Sequence, residues 1–219
     1  MFKPLGDSAL LVELGDKITP VINQRVHALN ALLQNTNGVL ETIPAYCTIL
    51  IHYDSLNFSF RQIKTLVEEK MNQLSQTPQE TGRRHQIPVR YGDASNSDIE
   101  IIAASKGISI EDAIQIHSEK EYRIYMMGFT PGFPYMGILD ERLHMPRLQT
   151  PRALVRAGSV AVAGFQTGIY PLDSPGGWHI IGWTPLKLFD PNSATPFLFS
   201  PGDTVKFIPM KEGDNAGSA

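Results

Sequence analysis

Residues able to do chemistry gather in the second half of the chain. His117 could act as a general base or hydrogen-bond a substrate. At the end of a short helix it could equally satisfy last-turn carbonyls. Arg152 and Arg156 flank Ala153-Leu154-Val155, and a spacing of four puts both on one side of a strand. Two guanidiniums so placed can grip a carboxylate or a phosphate through forked hydrogen bonds, or can simply be solvated at a strand edge. Gln166, Thr167 and Tyr170 offer an amide, a hydroxyl and a phenol. That set suits a neutral polar ligand such as a lactam, or the internal bonds of a turn. Ser174-Pro175-Gly176-Gly177 could present backbone N–H groups to an anion. It has no Lys and no following Ser or Thr, so it is not a P-loop, and neither the Walker A nor the dinucleotide-binding glycine pattern occurs elsewhere.

Two constrained stretches must position these groups. Met127 to Gly137 holds three glycines, two prolines and the aromatics Phe129, Phe133 and Tyr135 in eleven residues. Glycine permits positive φ, and proline fixes φ and removes a donor. The expectation is a rigid aromatic-bearing loop rather than a helix or a central strand. Gly164 to Pro171, followed by Ser174 to Trp178, has the same character. Two such loops in one small domain suggest a pocket with two walls.

The remaining elements read from periodicity. Phe2 to Pro4 and Ala9 to Leu14 are expected strands around a Gly6-Asp7 turn. Thr19-Pro20 opens a helix whose apolar face is Ile22, Val26, Leu29 and Leu33. Val39 to Ile43 and Tyr46 to Tyr53 read as strands, the second carrying a core-facing Cys47. Phe60 to Leu74 reads as an amphipathic helix. Residues Ser75 to Arg84 contain no large apolar side chain and form the candidate linker. Beyond them come a strand over Ile87 to Tyr91 and short helices over Ile99 to Ser105 and Ile110 to His117. The second helix opens with a Ser109/Asp112 capping box. A strand through Tyr122, Ile124 and Met126 follows. From Val155 onward the short runs broken by Gly and Pro are those of a barrel or closed sandwich.

The 219 residues suffice for one large or two small domains. A hydrophobic content of 42% with 19% charged residues is that of a soluble globular chain. A net charge of −3 and no basic cluster beyond Arg83-Arg84 argue against nucleic acid as a partner. The absence of a long apolar run and of a signal peptide argues against a membrane and for the cytoplasm. The single cysteine excludes an internal disulfide. No HExxH pattern or close His/Asp/Glu cluster suggests a metal site, and no GxSxG elbow is present.

The motifs His117-Ser118, Glu121-Tyr122, Gly128-Phe129, Pro131 to Tyr135, Gln166 to Pro171, Ser174 to Trp178, Phe189-Asp190-Pro191 and Pro201-Gly202-Asp203 are recognisable together. The chain resembles, over essentially its whole length, the B component of the bacterial ATP-dependent 5-oxoprolinases. That family is also called allophanate hydrolase subunit 1, and it includes the KipI-type inhibitor of a sporulation histidine kinase. The resemblance implies an α+β ferredoxin-like N-terminal domain (residues 1–80). A mainly-β cyclophilin-like barrel domain (residues 85–212) would follow, and the polar composition of the end of the chain makes 213–219 the expected disordered tail. It implies that the barrel pairs with a related barrel in the 5-oxoprolinase C component and that 5-oxoproline is activated there by phosphorylation. ATP with Mg2+ would be bound jointly with that partner, and the A component would complete ring opening to glutamate. Gln166 and Tyr170 would then recognise the lactam amide, and Arg152 or Arg156 its carboxylate. Gly176 and Gly177 would lie against the substrate. Phe129, Phe133 and Tyr135 would exclude water, and His117 would orient the lactam or move a proton. The same resemblance leaves open a regulatory protein docked on a histidine kinase and, less well supported, a member of a urea or allophanate pathway.

Overall fold

The computed structural model describes residues 1–74, 82–92 and 97–210. The chain divides into two compact units, Met1–Thr81 and Gly82–Ala219. Most of the candidate linker, 75–81, and the C-terminal tail lie outside the described residues.

The first unit runs β1 (Phe2–Leu5), β2 (Ala9–Glu13), α1 (Pro20–Leu33), β3 (Val39–Pro44), β4 (Thr48–Tyr53) and α2 (Phe60–Asn72). Thr19 caps α1 by accepting a bond from the Ile22 N–H at 3.2 Å, and Pro20 occupies the first turn, where a missing donor costs nothing. A Ser59/Gln62 capping box starts α2. Val26, Leu29 and Leu33 of α1 and Ile63 and Val67 of α2 bury against Leu10, Val12, Ile49 and Ile51 of the sheet. The sheet is antiparallel in the order β1-β2-β4-β3. Its β2-α1-β3-β4-α2 portion has the connectivity of a split βαβ unit. The edge strand beside β2 comes from the N-terminal hairpin instead of from a strand after α2, which departs from the expected ferredoxin-like order. Cys47 lies in the β3–β4 turn and is half-buried, not in the strand expected for it. Burial and the nearby carboxylates of Glu13 and Asp16 raise its thiol pKa.

The second unit holds β5 (Arg84–Tyr91), α3 (Ile99–Lys106), α4 (Ile110–Glu119), β6 (Glu121–Met127), β7 (Pro134–Gly137), β8 (Arg152–Val155), β9 (Ser159–Ala163), β10 (Gln166–Ile169), β11 (Ser174–Gly176), β12 (His179–Trp183) and β13 (Thr204–Pro209). Seven strands close a barrel in the order β10-β7-β6-β13-β5-β12-β9. Only the β13–β5 pairing among its named pairs is parallel. The unit is thus a mainly-β barrel. α3 and α4 pack Ile99, Ile102, Ala113 and Ile116 onto the core formed by Val160, Val162, Ile124, Met136, Phe207 and their neighbours. Gly107 ends α3 in the left-handed region, and the Ser109/Asp112 capping box starts α4.

Both constrained stretches contain strand where loop was expected. Pro134–Gly137 pairs with β6 and β10, and Gln166–Ile169 pairs with β7 and β9. Proline is tolerated because Pro134 is the first residue of its strand. Glycine is needed at Gly168, where a Cβ would lie 3.0 Å from the Phe133 ring and from the Pro134 carbonyl. The composition marks close packing of an aromatic ring on a strand rather than an irregular connection.

Candidate functional site

β9 is buried on both faces. Val160 and Val162 point into the barrel core, whereas Ala161 and Ala163 join a second cluster with Phe133, Val155, Tyr170, Trp178 and Ile180. This outer face of the barrel is where the aromatic stretches meet. The Phe133 ring is the hub. Tyr135, Tyr170 and Trp178 stand 4.9, 5.2 and 5.4 Å from it between centroids, and Phe129 stands edge-on at 5.8 Å. Phe129 is 64% exposed and has φ 65°. A non-glycine residue held there is uncommon and presents its ring outward from a tight turn.

Strand alternation places the polar groups. Thr167 pairs with Met136, and both face the barrel interior. Gln166 and Tyr135 therefore face outward, Gln166 opposite Ala163 of the aromatic cluster. Burial raises the pKa of both the Tyr135 and the Tyr170 phenols. For Tyr170 a backbone N–H of Trp178 donated to its oxygen works in the opposite sense. Gly176 sits on the Tyr170 hydroxyl so closely that a Cβ would collide with it. Gly177 lies against Pro151 and Leu148.

The arginine pair does not form. Arg152 donates to both oxygens of Asp98 at 2.6 and 2.8 Å and to the Trp178 carbonyl at 3.2 Å. Asp98 is nearly fully buried and also accepts the Ile180 N–H at 2.7 Å. Arg156 falls beyond the end of β8, and its guanidinium stacks over Trp183 at 4.8 Å. The strand stops at Val155 because the chain turns through Gly158, which has φ 85°. Arg152 is therefore a brace behind the aromatic wall, and the two arginines do not jointly clamp a carboxylate.

His117 is also placed differently. It is wholly buried on α4, stacked on Phe207 at 4.5 Å and on Tyr122 at 5.3 Å. Its Nε2 lies 2.9 Å from Thr167 Oγ1, and its Nδ1 lies 2.7 Å from the Tyr91 hydroxyl. Thr167 gives its one proton to the Ala161 carbonyl at 3.1 Å. Nε2 must therefore be the donor, and Nδ1 accepts from Tyr91. Burial holds the imidazole neutral and drops its pKa to about 3. With both nitrogens engaged inside the barrel, His117 neither caps helix carbonyls nor reaches a substrate. It ties α4 to β5 and β10.

Sequence reasoning misses three residues. Asp98 carries a visible helix-start signal, but its side chain makes no cap bond and instead serves Arg152 and Ile180. His179 donates from Nε2 to the Pro146 carbonyl at 3.0 Å, with Nδ1 facing Asp98 at 3.8 Å. Arg147 is exposed, and its positive charge opposes the burial that raises the Tyr135 and Tyr170 pKa values. Nothing in its local sequence sets it apart from other surface arginines.

A family model described as the carboxyltransferase domain, subdomain C and D, matches residues 1–199. The chain belongs to that family. It is 39% identical over 222 residues to the B component of 5-oxoprolinase from Bacillus subtilis, covering 96% of this chain and 92% of that protein. It is 40% identical over 215 residues to the B component of 5-oxoprolinase from Escherichia coli O157:H7, covering 95% of each. A urea amidolyase of Saccharomyces cerevisiae is 24% identical across 98% of this chain, which spans 13% of that protein. Among solved structures, TTHA0988 superposes with a TM-score of 0.81 at 37% identity, over 96% of this chain and 40% of that one. The uncharacterised protein PH0987 from Pyrococcus horikoshii superposes with a TM-score of 0.58 at 43% identity, over 97% and 98%.

Proposed function

We propose that this member of the carboxyltransferase C and D family is the B component of an ATP-dependent 5-oxoprolinase. It would act with a C component to activate 5-oxoproline and with an A component to release glutamate. The observation that carries the reading is the identity of about 40% over nearly the whole of two proteins that bear that name. The outer-face site fits such a substrate. 5-Oxoproline is a planar five-membered lactam with one carboxylate. The exposed Phe129 ring and the half-buried Tyr135 ring, backed by the buried Phe133 and Trp178 rings, would supply flat apolar contact that excludes water. Gln166 has both a donor and an acceptor for the lactam amide, and Tyr170 supports the wall behind it.

ATP with Mg2+ would supply the phosphoryl group and is assigned jointly to this chain and its partner. Among the described residues no three His, Cys, Asp or Glu side chains cluster closely enough to hold a metal. The roles left to this chain are to bind the lactam, orient its amide oxygen and keep the site dry.

Glutamate release from 5-oxoproline and ATP, measured with and without the partner components, tests the reading. Release only from the complete set supports it. Well-folded partners that release none would overturn it. Gln166→Ala is expected to lower turnover about 100-fold or more without dissociating the complex, on the scale of a lost positioning contact. Unchanged turnover would remove Gln166 from the site.

A further inference from the structure

Arg156 is exposed, and a guanidinium lying over an indole uses its flat face and leaves its in-plane N–H groups open. We propose that Arg156, stacked on Trp183 with Arg90 alongside, is the phosphate-binding group of this chain and takes the polyphosphate of the nucleotide. The inference rests on the reading above for the identity of the nucleotide, though not for the anion site itself.

The backbone builds a fixed platform there. Trp183 pairs with Ser159 of β9 on one side and with Arg90 of β5 on the other. Ser159 has the parity of Ala161 and Ala163, so Ser159, Trp183 and Arg90 all stand on the outer face of the barrel. The Trp183 Nε1–H donates to the Ala157 carbonyl at 2.9 Å, and the Ala157 N–H donates to the Asp173 carboxylate at 2.7 Å. The next residue, Gly158 at φ 85°, donates its N–H to the Tyr170 carbonyl at 2.7 Å, and a Cβ there would collide with the Thr184 carbonyl. The residue carrying the guanidinium and the ring beneath it are thus locked to one turn, and rigid mounting lowers the ordering cost of binding.

Charge and distance choose the ligand. No carboxylate among the described residues forms an ion pair with Arg156, whereas Arg142 and Arg152 each have one. Asp173, the acidic side chain at this turn, is engaged by the Ala157 N–H. Arg90 stands directly opposite Trp183 with Cβ atoms about 5 Å apart. Its contribution is a second positive charge at close range, and the forked contact falls to Arg156. Two guanidiniums flanking one ring suit a multiply charged tetrahedral anion, which accepts from several directions at once. β9 runs from Ser159 to Ala163, a rise of about 13 Å. Trp183 lies opposite its first residue and Gln166 opposite its last. A lactam held at Gln166 does not reach Arg156 with its carboxylate, whereas a nucleoside triphosphate is a separate and longer ligand.

Binding of tripolyphosphate, ATP, adenosine and 5-oxoproline should be measured by calorimetry in the chain assembled with its partner components. Arg156→Met keeps an apolar stem over Trp183 and is expected to weaken tripolyphosphate and ATP at least about tenfold, the scale of one charge-assisted contact. Arg156→Lys, which keeps the charge without the fork, should lose less. Adenosine and 5-oxoproline should bind Arg156→Met as they bind the unaltered chain. Unchanged tripolyphosphate affinity in Arg156→Met, or no tripolyphosphate binding to the unaltered complex, overturns the inference. So does a loss confined to 5-oxoproline, which would make Arg156 a carboxylate contact, and so does dissociation of the complex, which would make it a docking contact. Glutamate release measured in parallel separates the two readings. Loss of tripolyphosphate affinity in Arg156→Met without release by the unaltered complex would keep the phosphate site and reject the oxoprolinase assignment. Release by the unaltered complex with tripolyphosphate affinity retained in Arg156→Met would do the reverse.

Discussion

At the scale of residues, two buried polar groups decide what the site rests on. Asp98 holds Arg152 with two bonds and the Ile180 N–H with a third. Removing its charge strands a partly buried guanidinium, so Asp98→Asn is expected to cost about 3 kcal/mol in urea unfolding. Asp98→Asn combined with Arg152→Met should recover part of that loss, since the unpaired charge is then gone. His117 sets a pH dependence whose sign follows from its burial. The folded imidazole has a pKa of about 3 against an ordinary 6.5. Between those values the unfolded chain takes up a proton that the folded chain refuses. Stability from this group is complete above about pH 6.5 and falls by about 1.4 kcal/mol per pH unit as the pH drops towards 3. Unfolding of the barrel unit followed from pH 7 to 4 should show that slope. His117→Gln should reduce it by about one proton, and an unaltered slope would contradict the neutral buried tautomer.

At the scale of elements, stability is concentrated at caps and close approaches. The Ser109 hydroxyl accepts the Asp112 N–H at 2.9 Å while the Asp112 carboxylate takes the Ser109 N–H at 3.2 Å. Ser109→Ala is expected to cost about 1 kcal/mol by thermal unfolding, with no effect on ligand binding. Gly168 lies where β10 meets the Phe133 ring, and an added methyl would be 3.0 Å from both that ring and a carbonyl. Gly168→Ala should therefore cost about 1–3 kcal/mol through overpacking. It should also shift Phe133 and weaken ligand binding beyond what the stability loss explains. Near-ultraviolet circular dichroism of the aromatic cluster reports that shift. An unchanged spectrum with native affinity would separate the glycine from the site.

At the scale of the whole molecule, the two units bury separate cores. Leu10, Val26, Ile49 and Ile63 belong to one, while Ile124, Val160 and Phe207 belong to the other. Among the described residues each core cluster draws on one unit alone. Fragments Met1–Thr81 and Gly82–Ala219 are each expected to fold alone and to give dispersed amide spectra. A collapsed, undispersed spectrum from either fragment would show that its core is incomplete. Among the described residues no helix is long and apolar enough to cross a membrane.

What the sequence determined by itself was whatever depends on neighbours along the chain. The α1 face of Val26, Leu29 and Leu33 and the Thr19 and Ser109 caps are local rules of spacing and hydrogen bonding. Long motifs of glycine, proline and aromatic residues likewise marked the family and the aromatic wall of Phe129, Phe133, Tyr135 and Tyr170. What only the tertiary structure decided were pairings between distant residues. Asp98 with Arg152, 54 positions apart, and His117 with Thr167, 50 apart, turned two anticipated ligand-binding groups into internal braces. The same closure of the barrel made strands of two stretches that composition marks as loops. The physical reason is that a charged or hydrogen-bonding side chain is assigned by whichever partner the fold brings within about 3 Å, and linear spacing does not contain that distance.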